Sequence, residues 1–155
     1  MLFCGAPLGN FIAGLRKHQR VAVDTNVLIY QFERNPHYFP LTNELFIWLE
    51  NPHHRAVTST VTMAEILVKP YQLGAEDLAE DVFGLLRVYP HLEWIAPDLD
   101  HTALAAQLRA KYRLKMVDAL QAATARLAGA TCLVANDAAF RKVDGLKVLL
   151  LDDYA

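Results

Sequence analysis

Four acidic side chains, each set in an apolar stretch, are the groups in this sequence best suited to chemistry. They occur in the segments Val-Ala-Val-Asp24, Met-Ala-Glu65-Ile-Leu, Met-Val-Asp118-Ala-Leu and Leu-Val-Ala-Asn-Asp137, none of which contains a basic residue. Two carboxylates about 5 Å apart repel each other by roughly 3 kcal/mol at an effective dielectric constant near 20. Four acids brought together must therefore retain protons or bind a cation. Carboxylate oxygens favour the hard cations Mg²⁺ and Mn²⁺, which would also let an acidic cleft accept a polyanionic substrate.

The elements that must position these acids alternate between short apolar runs and longer amphipathic segments. The apolar runs predict five strands, at residues 21–23, 56–59, 92–95, 131–134 and 148–151. The amphipathic segments predict helices at residues 27–34, 39–50, 61–68, 76–88, 102–112, 116–127 and 138–143, with Pro70 ending the third and Gly129 capping the sixth. This alternation is typical of a doubly wound α/β domain with a parallel sheet. We expect a single domain over residues 20–155, preceded by a leader, residues 1–19, whose structure the pattern does not predict.

The predicted strands suggest where the acids meet. In open α/β sheets, ligands bind outside the carboxyl ends of the strands. Asp24 directly follows the first strand, Glu65 lies in the helix after the second, and Asp137 comes shortly after the fourth. Asp118 lies instead in the first turn of the helix that precedes the fourth strand, so the sequence alone does not place it in the same cleft.

Each acid also has an ordinary structural explanation. Asp24 could cap the helix that follows it, and Asn136-Asp137 could cap the short helix at 138–143. The segment from Thr62 to Glu65 matches a capping box, in which the glutamate folds back on its own backbone. Asp118 could simply be favoured by the dipole of its helix. Only the four together point to a site.

Composition narrows the class of protein. The chain has 155 residues, 54% of them hydrophobic and 21% charged, which suits a packed globular domain. It contains no run of ~18 apolar residues able to span a membrane and no export signal at its start. Two cysteines, Cys4 and Cys132, do not make a disulfide framework. A cytoplasmic protein is the simplest interpretation.

The net charge of −2 gives no global attraction for nucleic acid, so any such partner needs a local basic patch or a metal ion. The best candidate patch is a run of four cations just before Asp118: Arg109, Lys111, Arg113 and Lys115. They could equally be helix-end cations that stabilise the dipole. The six histidines lack metal-ligand spacing and are expected at the surface, with His53 and His54 at the edge away from the acids.

Taken together, these motifs resemble the PIN-domain ribonucleases, and among them the VapC-type toxins of bacterial toxin–antitoxin pairs. The resemblance extends over residues 20–152. It is carried in order by Val23-Asp24-Thr25-Asn26-Val27-Leu28, Thr62-Met63-Ala64-Glu65-Ile66, Val117-Asp118-Ala119 with Ala122-Ala123-Thr124-Ala125, and Ala135-Asn136-Asp137 with Phe140. One departure is Ala135, where many members carry a Thr or Ser whose hydroxyl helps to hold a water.

The resemblance implies a PIN-like three-layer sandwich with a five-stranded parallel sheet, order 3-2-1-4-5, flanked by helices. Asp24, Glu65 and Asp118 would be catalytic metal ligands for Mg²⁺ or Mn²⁺, with Asp137 as a more variable fourth, and Thr25 and Asn26 would support the first carboxylate. The implied activity is metal-dependent hydrolysis of RNA phosphodiesters by in-line attack of water, leaving 5′-phosphate and 3′-hydroxyl ends. A homodimer and an inhibitory antitoxin partner are further implications.

Three other functions compete with this interpretation. A haloacid-dehalogenase-type phosphatase also begins with Asp after the first strand, but it needs a second Asp two residues on, where this chain has Asn26. A phospho-receiver domain could use Asp98, yet it lacks the acid pair after the first strand. A catalytically silent PIN domain that binds RNA or protein is the strongest alternative, and Ala135 leaves room for it.

Overall fold

The computed structural model describes residues 5–155, so that Cys4 lies outside the described residues. Its centre is a parallel five-stranded sheet with the order β3-β2-β1-β4-β5, as the resemblance predicted. The strands are β1 (Arg20–Val23), β2 (Arg55–Ser59), β3 (Leu92–Ile95), β4 (Cys132–Ala135) and β5 (Val148–Leu150). All five were predicted to within a residue.

Helices cover both faces of the sheet. They are α1 (Ala6–Leu15), α2 (Thr25–Phe32), α3 (Phe39–Leu49), α4 (Thr60–Gln72), α5 (Glu76–Arg87), α6 (Leu99–Tyr112) and α7 (Met116–Leu127), with 3-10 helices at Ala138–Lys142 and Leu151–Asp153. The short helix predicted at 138–143 is therefore a 3-10 helix. Within residues 5–155, none of these helices combines the length and apolarity needed to cross a membrane.

The sheet divides the core into two apolar layers. Val21 and Val23 of β1 face the layer of α1, α2 and α3, whereas Ala22 between them faces the layer of α6 and α7. Successive side chains of a strand point to opposite faces, and both faces here are covered by helices. This explains why the strands are continuous apolar runs that end abruptly at polar residues.

Pro70 does not end α4, contrary to prediction. The helix runs one further turn to Gln72, with Pro70 inside it. Proline removes one amide hydrogen bond, to the carbonyl four residues earlier, and α4 bears this single loss in its last turn. Two residues beyond Gln72, Gly74 has a φ of +67°, the left-handed conformation that closes many helices. The Pro70 carbonyl is then used by the amide of Ala75, at 2.9 Å.

The segment at 1–19, for which no structure was predicted, contributes α1 to the core. Phe11 and Leu15 of this helix are buried in the first apolar layer, where α1 packs against α3. Gly14 allows the close approach, because a Cβ atom at that position would lie 3.1 Å from Leu149 Cδ2. The Phe11 ring also meets Tyr154 edge-on, with 5.4 Å between ring centroids.

Candidate active site

Asp24 lies at the carboxyl end of the central strand, and only 5% of it is exposed. Its amide continues the ladder of β1 by donating to the Val134 carbonyl at 3.0 Å, and its extended backbone turns the chain into α2. Asp24 occupies the N-cap position, but its side chain accepts no capping hydrogen bond. The ordinary capping explanation therefore does not account for a carboxylate buried here.

Burial and neighbouring charge raise the pKa of Asp24 from its ordinary value of 3.8 to about 7. Loss of hydration is the largest cause, and the Thr25 backbone amide opposes it; repulsion from Asp118, Glu65 and Asp137 then adds to the rise. The pKa of the half-buried Asp118 is also raised, by burial first and then by Asp137 and Glu65, while Lys115 opposes this. The fold thus brings all four acids into one electrostatic cluster, including Asp118, which the sequence could not place.

A residue of α2, Thr25, orients the side chain of Glu65. Thr25 Oγ1 donates a hydrogen bond of 2.5 Å to Glu65 Oε1. The residue that caps α4 is Ser59, whose hydroxyl accepts from the Val61 amide, so the capping box predicted between Thr62 and Glu65 is wrong. Thr25 was expected to support Asp24, and it contacts two of the acids. Its backbone amide faces Asp24, and its hydroxyl donates to Glu65. Asn26 is exposed, and its support of Asp24 stays a prediction.

A buried polar network lies beneath Thr25, and sequence reasoning missed it. Gln121 of α7 donates from Nε2 to Thr62 Oγ1 at 2.5 Å and accepts the Ser59 amide at 3.2 Å. Thr62 Oγ1 in turn lies 3.1 Å from the hydroxyls of Thr25 and Thr58. These four side chains are at most 5% exposed. A glutamine among alanines on the face of α7 that carries Asp118 was the available signal.

The network has a direction. A hydroxyl carries one proton; that of Thr58 goes to the Val23 carbonyl at 2.9 Å, and that of Thr25 to Glu65. The Thr62 hydroxyl, which accepts from Gln121, is then the group left to donate to a neighbouring threonine. A chain of hydrogen bonds therefore runs from Gln121 of α7 through Thr62 and Thr25 to Glu65. It orients the Glu65 carboxylate.

Asp137 has two roles in the structure. It caps the 3-10 helix Ala138–Lys142 by accepting from the Ala139 amide at 2.8 Å, as the capping explanation predicted, and it also repels Asp24 and Asp118. Its neighbour Asn136 ties the end of β4 to the Asp152 amide at 3.0 Å. Ala135, the departure from the family pattern, is fully buried at the end of β4.

The four cations predicted as a basic patch before Asp118 make different contacts in the structure. Arg109 closes the end of α6 by donating to the Leu114 carbonyl, and Arg113 is the left-handed residue that ends this helix. Lys111 lies 3.5 Å from Asp144 in an exposed pair. Lys115 is the member whose charge acts on Asp118. Arg109 thus matches the helix-end explanation, whereas Lys115 lies beside the acids.

The acids fit a hard divalent cation in chemistry and charge. Their oxygens are the preferred ligands of Mg²⁺, and a cation would offset the repulsion that adds to the effect of burial on the pKa of Asp24. Among residues 5–155, no group of three or more His, Cys, Asp or Glu side chains is arranged so that it could hold a metal ion. Mg²⁺ commonly needs only one or two carboxylates, because water and substrate phosphate complete its shell.

The fold and these motifs can be compared with known proteins. No curated protein matches the chain. Among solved structures, it is similar to VapBC2 from Rickettsia felis bound to a promoter DNA fragment, with 19% identity over 84% of this chain and 98% of that chain and a TM-score of 0.67. A toxin–antitoxin complex from Klebsiella pneumoniae is 23% identical over 84% and 97% of the two chains, with a TM-score of 0.62. VapC20 from Mycobacterium tuberculosis, described as a sarcin-ricin loop cleaving toxin, is 17% identical over 79% and 93%, with a TM-score of 0.64.

These likenesses, all below 25% identity, agree in fold with the sheet described above. The sequence itself carries the family assignment, because the model of the PIN domain matches residues 21–146, from β1 to the turn before β5. That match includes all four acids and the polar network beneath them. The chain belongs to the PIN-domain family.

Proposed function

We propose that this protein is a divalent-metal-dependent endoribonuclease, the toxin of a toxin–antitoxin pair, which acts in the cytoplasm. The observation that carries the proposal is the pKa of the buried Asp24. Burial and the charges of three further acids at the carboxyl edge of the sheet raise this pKa to about 7. A buried group with a strongly shifted pKa in such a cluster is a recognised sign of a functional site. Membership of the PIN family and the toxins among the structural neighbours support the choice of RNA hydrolysis.

In this mechanism the residues hold charge and position. Asp24, Glu65, Asp118 and Asp137 would supply the carboxylates for Mg²⁺ or Mn²⁺, one or two of them bound directly to the ion and water completing its shell. The bound cation would neutralise charge on phosphate oxygens and lower the pKa of a water. Thr25 keeps Glu65 oriented through its 2.5 Å hydrogen bond, and the Gln121 network keeps Thr25 in place. Lys115, whose charge acts on Asp118, and the exposed Arg113 two residues before it would contact the RNA backbone.

The test is cleavage of RNA by the purified protein with Mg²⁺ or Mn²⁺, beside Asp24→Asn. Asp81→Asn is a matched control, because Asp81 is exposed on α5 and is not among the charges that act on Asp24 or Asp118. We expect cleavage by the wild type and the control, its loss in Asp24→Asn, and its loss with EDTA. If cleavage never appears under these conditions, or survives unchanged in Asp24→Asn, the nuclease proposal is wrong. RNA binding without cleavage would favour the silent PIN domain instead.

An antitoxin is the proposed protein partner, supported by the toxin–antitoxin complexes among the structural neighbours. An apolar groove of about 320 Å³ between α2, α4 and α5 suits such a partner, since Phe32, Leu73 and Leu78 line it and Glu65 lies at its edge. A segment bound there would cover an acid of the site. Co-expression with the protein encoded directly upstream should restore growth and give a stable complex, and Leu73→Asp should weaken that complex. A homodimer is also proposed, to be tested by light scattering.

A further inference from the structure

A cationic pocket lies at the opposite edge of the sheet from the acids. It has a volume of about 560 Å³, and its lining residues include Arg16, Lys17, His18, Arg20, His54 and Thr131. These residues follow α1 or lie at the amino ends of β1, β2 and β4. In a chain of net charge −2, this local excess of positive charge requires an explanation.

Ordinary structural roles explain only part of this charge. Arg16 and Lys17 follow the last turn of α1, where cations are favoured by the helix dipole. Arg20 is partly neutralised, because it donates to Glu93 and to the Ala128 carbonyl. The helix dipole does not explain Lys147, which acts on His18 from the chain before β5.

His18 is the feature that points to a ligand. Only 8% of it is exposed, contrary to the surface position predicted from the sequence. Its Nδ1 lies 2.7 Å from Thr131 Oγ1, and the Thr131 hydroxyl donates to the Arg20 carbonyl at 3.3 Å. The threonine oxygen therefore accepts from Nδ1–H. Nε2 is left buried without a partner, one of only three such side-chain atoms in residues 5–155.

The protonation of His18 is coupled to what the pocket holds. Burial, followed by the charges of Lys147 and Lys17, lowers the pKa of His18, which favours the neutral ring. With Nδ1–H already used, Nε2 can donate a hydrogen bond only when the ring is protonated. A negative ligand would raise this pKa by offsetting the lysines and would accept the bond from Nε2.

We propose that this pocket binds an oxyanion of the phosphate type, held by Arg16 and Lys17 at its mouth and by protonated His18 at its base. The guanidinium and ammonium groups are donors suited to phosphate oxygens. Nε2 is closed to solvent in the present conformation, so the ligand reaches it only when the flexible side chains of the rim shift. Arg16 and Lys17 are exposed and require no such change. The proposal stands apart from the nuclease activity, because the acids lie at the other edge.

The test uses sodium sulfate as the probe, at constant ionic strength and with EDTA present. Sulfate stays fully ionised between pH 5.5 and pH 8, so any dependence of its binding on pH comes from the protein. We expect sulfate to bind more tightly at the lower pH and to raise the pKa of His18, followed by NMR of its Cε1 proton. Lys147 and Lys17 act on His18 through their charges and Thr131 through a hydrogen bond, while Arg16, Arg20 and His54 line the same pocket.

Three variants make the test specific. Arg16→Gln with Lys17→Gln should weaken sulfate binding about tenfold, without loss of folding because both residues are exposed. His18→Gln should remove most of the pH dependence, and His54→Gln should leave it. Arg87→Gln with Lys142→Gln, a control of equal charge on distant surfaces, should bind sulfate as the wild type does.

Two probes then identify the source of the oxyanion. A short single-stranded RNA that displaces sulfate at lower concentration than inorganic phosphate does would identify a nucleic-acid backbone as the ligand. Displacement by inorganic phosphate but not by RNA would identify a small phosphate compound. The proposal is overturned if sulfate leaves the pKa of His18 unchanged, or if the Arg16 and Lys17 double variant binds sulfate as well as the distant-charge control.

Discussion

Ionised Asp24 should destabilise the metal-free fold, and replacing it with asparagine should reverse this. The folded pKa of about 7 exceeds the ordinary value of 3.8. Because a tenfold change in proton affinity is worth about 1.4 kcal/mol, the ionised group disfavours the folded state by about 4 kcal/mol above pH 7. That is a large part of the 5–15 kcal/mol by which domains are usually stable.

The sign of the pH dependence follows from where the proton is released. Between about pH 4 and pH 7 the unfolded chain has lost the Asp24 proton while the folded protein still holds it. Stability therefore falls as the pH rises through this window. Below pH 4 the proton is increasingly held in both states, so the acid and the amide differ little there.

Urea denaturation in EDTA measures this effect directly. We expect Asp24→Asn to exceed the wild type in free energy of unfolding by about 4 kcal/mol near pH 8 and by little near pH 4. Asp81→Asn, which removes an equal charge from an exposed position, should track the wild type at both pH values. The reasoning is refuted if Asp24→Asn is no more stable than the wild type near pH 8, or if the difference between the two does not change with pH. Burial and repulsion would then not be acting on an ionised Asp24.

Three further outcomes test other parts of the site. Thr25→Val should lower RNA cleavage by about 10–100-fold in a turnover assay with little effect on folding, whereas Thr60→Val on the exposed start of α4 should not. Gln121→Leu leaves the Ser59 amide without its acceptor and should reduce the free energy of unfolding by about 1–3 kcal/mol. Gln107→Leu, at an exposed position, is its control. Equal losses of stability in the two variants would contradict a structural role for the network. Saturating Mg²⁺ should raise the melting temperature of the wild type and not that of Asp24→Asn, and an equal rise in both would locate the metal elsewhere.

The sheet was predictable because its physical cause is local. Strands covered on both faces must be apolar throughout, so Val21 to Val23 and Cys132 to Ala135 stand out from the polar residues at their ends. The same abrupt change marked Asp24. The strand order came from the family resemblance, since no local pattern specifies which strands pair.

What escaped prediction depends on contacts distant in sequence. Thr62 and Glu65 match a capping box, but the buried Gln121 and Thr25 bind them instead. Asp118 joins the acids only because α7 packs against β1 and β2. The six histidines looked alike in sequence, yet the packing of α1 and the amino end of β4 buries His18, and the cap of α6 buries His101.

The packing of α1 also sets an order of events during synthesis. This helix leaves the ribosome before any strand, yet its partners Leu149 and Tyr154 are translated more than a hundred residues later. Until then Phe11 has no aromatic neighbour at Tyr154, and the outer side of β4 has no paired strand. Contacts of such long sequence separation form late and slow folding. The elements of the carboxylate edge, β1, β2 and α7, are thus translated before the first apolar layer can close, so apolar surface stays exposed at that stage.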